Sequence, residues 1–123
     1  MNDRKIPIPL NCGLDLIAEV LYGKWKVRLL YFIHQGNKRP SQLKRAIPDA
    51  SQRVLTMQLK ELEGHELIEK TIYPQMPPKV EYTLTPLGKS IMPVLLALGE
   101  WADANQYQLR RAIEKSYLPM LGS

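Results

Sequence analysis

A single cysteine, Cys12, leaves no partner for an internal disulfide, and a chain so poor in thiols suits a reducing cytoplasm. The two histidines, His34 and His65, lie far apart, with no Cys-x-x-Cys pair, His-x-x-x-His pair or carboxylate cluster beside them. That pattern argues against a metal site. No glycine-rich phosphate loop and no Gly-x-Ser-x-Gly elbow occurs, so the residues give no basis for an enzyme and call for no cofactor. No apolar run reaches the roughly 18 residues that a membrane helix needs. Arg4 and Lys5 near the start lack the apolar segment that follows them in a secretory signal. At 123 residues the chain suffices for one domain with a core.

Acid is missing in one place above all. Between Lys24 and Lys60 nine basic residues face Asp49 alone, a net of +8, while the rest of the chain nets −3 of the total +5. A positive block confined to one stretch is what attraction to phosphates requires. A solvated basic face would read the same way from charge alone.

The block contains two helix signals. Pro40-Ser41 starts a short helix with Ser41 as its cap and Leu43, Ala46 and Ile47 facing inward. Pro48-Asp49-Ala50 forms a turn, and Ser51 caps a longer helix with Leu55, Leu59 and Leu62 along one stripe. At about 100° per residue, Arg53, Thr56, Met57 and Lys60 fall on the opposite side. A short helix, a tight turn and a second helix with a polar, basic outer face form a helix-turn-helix, in which the second helix enters the DNA major groove. Gln52, Arg53, Thr56 and Met57 are then expected to read base edges. Ser41, Lys44, Ser51, Lys60 and Lys79 are expected on the DNA backbone, and Gln42 is expected among the DNA-binding residues.

Behind Gly64, residues 67–73 and 80–84 are rich in β-branched and aromatic side chains and read as strands. The connector Pro74-Gln75-Met76-Pro77-Pro78-Lys79 is too long for a two-residue turn. A hairpin placed directly after a recognition helix is a wing, with Lys79 and Gln75 near its tip.

Before the block, residues 1–11 read as an arm with Pro7 and Pro9. Leu14, Ile17, Ala18 and Leu21 recur at helical spacing up to Gly23. Trp25 then opens a helix with Val27, Leu30, Tyr31 and Ile33 inward, and Trp25 itself is expected in the core. After the wing, Thr85-Pro86 pairs a cap with proline at the first helical position. Leu87, Ile91, Leu95, Leu98, Trp101 and Ala102 form a stripe, with a bend expected at Pro93. Met92, Val94, Leu96 and Ala97 lie off that stripe. Burial on a second side calls for a partner surface, and a two-fold dimer supplies one most often. Packing within the same chain is the alternative. Tyr22, Tyr31, Trp25 and Trp101 are also candidates to line an effector pocket, though aromatics at helical spacing are more often core.

These residues together resemble the HxlR family of bacterial winged-helix regulators. The resemblance covers about Cys12 to Ala104. It rests on Gly23-Lys24-Trp25, on Leu55-Thr56-x-x-Leu59-Lys60-Glu61-Leu62, and on the late Trp101-Ala102. Its most specific part runs from Tyr73-Pro74-x-x-Pro77-Pro78-Lys79 through Val80-Glu81-Tyr82-Thr83-Leu84 to Thr85-Pro86-Leu87-Gly88. The sequence departs from the family pattern at Gly13, where proline often follows the cysteine. It departs again at Gly64-His65-Glu66, where an acidic-glycine turn is usual.

The resemblance implies a cytoplasmic homodimer on double-stranded DNA, reading a partly palindromic operator. Its interface would lie on the first and the long C-terminal helix, here through Leu14, Ile17, Leu95, Leu98 and Trp101. The resemblance also makes Cys12 a candidate sensor of oxidants or electrophiles, with the effector itself unidentified. The expected class is α+β, mainly α: a winged helix-turn-helix with a two-stranded β wing and extra N- and C-terminal helices forming a dimer interface. Its parts are an arm (1–11), the winged domain (12–109) and a tail (110–123). Within the domain, the helix-turn-helix spans about 40–63, the wing about 67–84 and the C-terminal helix about 85–109. The competing function is a winged helix that docks an acidic protein partner without sequence-specific DNA binding. A third reading, a repressor that binds a small molecule with an inert Cys12, differs only in its signal.

Overall fold

A computed structural model describes residues 10–121, and the side chains of residues 10–117. The expected arm at 1–11 therefore lies mostly outside the described residues. The order is α1 (Gly13–Val20), α2 (Lys26–His34), α3 (Pro40–Ala46), α4 (Gln52–Gly64), β1 (Ile68–Tyr73), β2 (Lys79–Leu84), α5 (Pro86–Ala104) and α6 (Gln106–Leu121). The fold is a mainly helical winged helix-turn-helix with one two-stranded antiparallel sheet. The chain divides into two compact units, Met1–Met92 and Pro93–Ser123.

The core of the first unit is built from one face of each helix. Leu29, Leu30 and Ile33 of α2 are buried with Leu43 of α3, Ile47 and Ala50 of the turn, and Leu55, Leu59 and Leu62 of α4. Each such leucine removed from water contributes on the order of 1.5–3 kcal/mol. The α4 stripe is the one expected from its spacing. In α2 the face is rotated: Val27 and Tyr31 are exposed, and Leu29 takes an inward place together with a charged residue, Lys26. A lysine among leucines broke the apolar pattern, and the sequence gives no local sign of its partner.

That partner is Glu61 on α4, whose Oε1 lies 2.7 Å from Lys26 Nζ, with the Lys26 side chain 1% exposed. Beside it, the side-chain oxygen of the buried Gln58 accepts the Trp25 backbone N–H at 2.9 Å. Gly23 makes room for this contact, since a Cβ there would stand 3.1 Å from the Gln58 side chain. Trp25 is half-buried rather than fully in the core. The ammonium of Lys24 and the guanidinium of Arg28 lie over its ring, 5.0 Å and 5.4 Å from the centroid.

The two caps expected as serine differ. Ser51 accepts the Val54 N–H at 3.1 Å and caps α4 as its position implies. Ser41 does not cap α3. That helix begins two residues earlier than a Ser41 cap implies, with Arg39 as its N-cap and Pro40 inside. Gln42 reaches back instead, its oxygen accepting the N–H groups of Lys38 and Arg39 at 2.9 and 3.0 Å.

The end of α4 carries a Schellman turn. Leu67 N–H donates to Leu62 O and Glu66 N–H to Glu63 O, and the leucines at both ends of the motif are buried. Glu66 sits at φ 62°, in the left-handed region that glycine occupies at lower cost. The hairpin follows, with Ile68 opposite Leu84 and Tyr73 opposite Lys79. The outer edge of β2 is met by one backbone bond, Tyr82 N–H to Lys38 O at 2.8 Å, which fastens the segment before α3 to the wing.

Thr85 joins wing and helix. Its hydroxyl donates to Glu66 O at 2.7 Å and accepts the Gly88 N–H at 3.0 Å. Gly88 packs against Leu67, where a Cβ would collide with the Leu67 carbonyl oxygen.

Helix α5 runs without interruption through Pro93. Its buried residues are Gly88, Met92 and Leu95, four and three positions apart on one face. Leu87, Leu98 and Trp101 of the apolar stripe are exposed. The expected helix to 109 ends at Ala104, where Asn105 turns the chain with its N–H donating to Trp101 O and Ala102 O. Residues 106–121, read in part as a tail from 110, form α6.

Candidate nucleic-acid interface

Three elements bring polar and basic groups to the surface of the first unit: the N-terminal half of α4, the start of α3 and the wing. On α4, Gln52, Arg53, Thr56 and Lys60 are exposed, and Met57 is half-buried. Gln52 Nε2 donates to Thr56 Oγ1 at 3.3 Å, so these two side chains are aligned along one turn. The helix macrodipole and its free N–H groups place a partial positive charge where Ser51 and Gln52 stand. This is the face that a groove-reading helix presents, with apolar residues behind it and donors in front.

At α3, Ser41 is exposed and Lys44 half-buried, with Lys44 Nζ donating to the Pro48 carbonyl at 3.0 Å. Gln42 uses its oxygen for capping, which leaves the amide NH₂ as the group that can face outward. The basic block is thus smaller at the surface than in the sequence. Lys26 is buried against Glu61 and offers nothing to DNA.

On the wing, charge converges on one carboxylate. Glu81 Oε2 lies 3.6 Å from Lys79 Nζ and 4.0 Å from Arg39 Nε, and Glu81 Oε1 accepts the Tyr73 hydroxyl at 3.2 Å. The Lys79 ammonium also stands over the Tyr73 ring, 4.7 Å from its centroid. The hydrogen bond to Glu81, with the repulsion of its charge, raises the Tyr73 phenol above the ordinary 10.0. On the opposite face of the hairpin, burial raises the Tyr82 phenol too, with the charge of Glu63 as a smaller cause.

Arg39 belongs to the basic block. Its place just ahead of Pro40 was the available signal, and the pairing with Glu81, which lies far along the chain, was not visible. Cys12 is an exposed free thiol at the N-cap of α1. Among the interface candidates, Leu14, Leu98 and Trp101 are 77%, 58% and 59% exposed, and Ile17 is half-buried. Leu95 is 8% exposed. Among the described residues no group of three or more His, Cys, Asp and Glu side chains is placed to hold a metal ion. No helix among them is long and apolar enough to cross a membrane.

A capped helix with an exposed polar face, a short helix before it and a β wing behind define the class of winged helix-turn-helix DNA-binding regulators. Within that class the chain belongs to the HxlR family, whose HxlR-like helix-turn-helix model matches residues 20–110. It is 47% identical over 91 residues to the HTH-type transcriptional regulator YkvN of Bacillus subtilis (strain 168), covering 74% of this chain and 77% of that one. The solved structure of the redox regulator HypR in its reduced form superposes with a TM-score of 0.77 at 38% identity, covering 81% of this chain and 99% of HypR. The HTH-type transcriptional regulator ytcD gives 0.73 at 41% identity, with 79% and 98% covered. The chain is a DNA-binding regulator of transcription.

Proposed function

We propose that the protein works in the cytoplasm as a non-enzymatic homodimer on a partly palindromic operator. Two α4 helices enter successive major grooves about 34 Å apart. The observation that carries this reading is the exposed row of Gln52, Arg53 and Thr56 beside the Ser51 cap, opposite the buried stripe of Leu55, Leu59 and Leu62. Arg53 and Thr56, with Gln52 and the edge of Met57, read bases. Ser41, Lys44, Ser51, Lys60 and Lys79, with the Gln42 amide, hold phosphates and set the register. Leu14, Leu98 and Trp101 supply exposed apolar surface for the partner chain, as a two-fold interface needs.

Selection of bound fragments from genomic DNA identifies the operator, and Arg53→Ala then tests the assignment. The substitution costs about 1–3 kcal/mol and relaxes the base preference at one position of each half-site. A loss that is equal for all sequences would remove Arg53 from base reading. Sedimentation equilibrium of the free protein tests the dimer, and a monomer bound to a single half-site would overturn it.

The competing docking reading needs an acidic protein partner in place of DNA. It gains no support from a chain whose relatives are regulators of transcription. Any signal carried by an oxidant or electrophile enters through Cys12, the one thiol of the sequence, which is exposed. Iodoacetamide alkylation across pH tests that role, because a thiol titrating near the ordinary value of about 8.5 is not an activated one.

A further inference from the structure

The cluster at Glu81 joins the two ends of the surface that faces DNA in the proposed reading. Arg39 is the N-cap of α3, and Lys79 opens β2 next to the wing tip. The two lie 40 positions apart in the sequence, yet both lean on one carboxylate oxygen, Glu81 Oε2. Its other oxygen is taken by Tyr73, and Thr71 stands opposite in the ladder. The segment carrying Arg39 is fastened to the same strand through Tyr82 N–H and Lys38 O. The geometry is therefore fixed by backbone as well as by charge.

A carboxylate oxygen shared by a lysine and an arginine stands where an anionic phosphate oxygen could. It repels phosphate, and it occupies the two cations that phosphate would engage.

From this we infer that Glu81 is a specificity-determining residue: a built-in substitute for a DNA phosphate that keeps Arg39 and Lys79 occupied until a matched site displaces it. The inference rests on the proposed DNA-facing surface. Its effect falls mainly on non-specific binding, which is supplied almost wholly by phosphate contacts and counterion release. At a matched operator, base contacts from α4 hold the wing against the backbone and favour transfer of both cations from Glu81 to the DNA. On random sequence nothing offsets the loss of the internal pairs. The carboxylate thus widens the gap between specific and non-specific affinity without touching a base.

Fluorescence anisotropy with a labelled random-sequence duplex, repeated over a salt series, reads this directly. Glu81→Gln keeps an acceptor for the Tyr73 hydroxyl and removes the charge. It should bind the random duplex about two- to fivefold tighter, the scale of an exposed ion pair. Its plot of log affinity against log salt should steepen by about one to two, since each newly engaged phosphate adds about 0.9. A second substitution separates the cause: Lys79→Ala should flatten the slope more in the Glu81→Gln background than in the native chain. Gain of binding with an unchanged melting temperature is a result that loss of structure does not produce. Unchanged affinity and slope would overturn the inference, and so would weaker binding, which would make Glu81 an organiser of the two cations. A native chain that ignores salt would instead remove the DNA-facing surface itself.

Discussion

Glu61 and Glu81 each hold a lysine, and the two pairs serve opposite ends. At the inner side of α4, Lys26 is fully enclosed and its ammonium sits 2.7 Å from Glu61. On the wing, Lys79 remains a third exposed and shares Glu81 with Arg39 at longer range. Burial of the cation decides the difference, since Glu81 is no more open to water than Glu61. An enclosed ammonium is costly to leave unpaired, so the inner pair is structural and fixes where α4 lies on α2. Cations that keep contact with water are held by small energies and can be exchanged to another anion. The same two residue types therefore make an anchor in one place and a replaceable contact in the other.

The comparison breaks most sharply at Lys26. Glu61→Met leaves the enclosed Lys26 ammonium without its anion, and should cost about 3 kcal/mol in chemical denaturation. Adding Lys26→Met should restore most of that loss, because a well-packed apolar pair does as well as a buried ion pair. A double variant no better than the single one would mean that the pair is more than a local anchor.

Between the two regions stands Glu66, where α4 turns into the wing. Glu66→Gly relieves a left-handed residue and should raise stability by about 1 kcal/mol. An unchanged midpoint would show that the Schellman bonds and Thr85 fully offset that conformation. The smallest effect belongs to the outer carboxylate. Glu81→Gln should move stability by less than about 0.5 kcal/mol at neutral pH. It should also bring the Tyr73 phenol back toward its ordinary value, read by ultraviolet titration. In the native chain that phenol ionises later when folded than when unfolded. Stability therefore falls as pH rises above the ordinary value, and this slope should shrink in the variant.

The spacing of Leu55, Leu59 and Leu62, the Ser51 cap and the Thr85-Pro86 start made α4, its outer face and the wing legible in the sequence. Those features depend on neighbours a few positions away. What stayed hidden depends on distant partners. Lys26 stands in the basic block with no local sign of Glu61 on another helix, and Arg39 meets Glu81 only after folding. Ser41 has the form of a cap, but the helix starts ahead of it, and Gln42 reaches back to the N–H groups of Lys38 and Arg39. The break at Asn105 carried no glycine or proline signal, so α5 and α6 read as one helix and a tail.

The wing also has a bearing on solubility. A two-stranded sheet has two bare flanks, and bare flanks invite pairing with another molecule. Here one flank is met at Tyr82 by Lys38, while the other carries Glu69 and Lys70 on exposed positions. Pro74, Pro77 and Pro78 at the tip offer no N–H to a stranger's strand. The residues that shape the reach of the hairpin also make its free flank a poor template for the strand of a second copy.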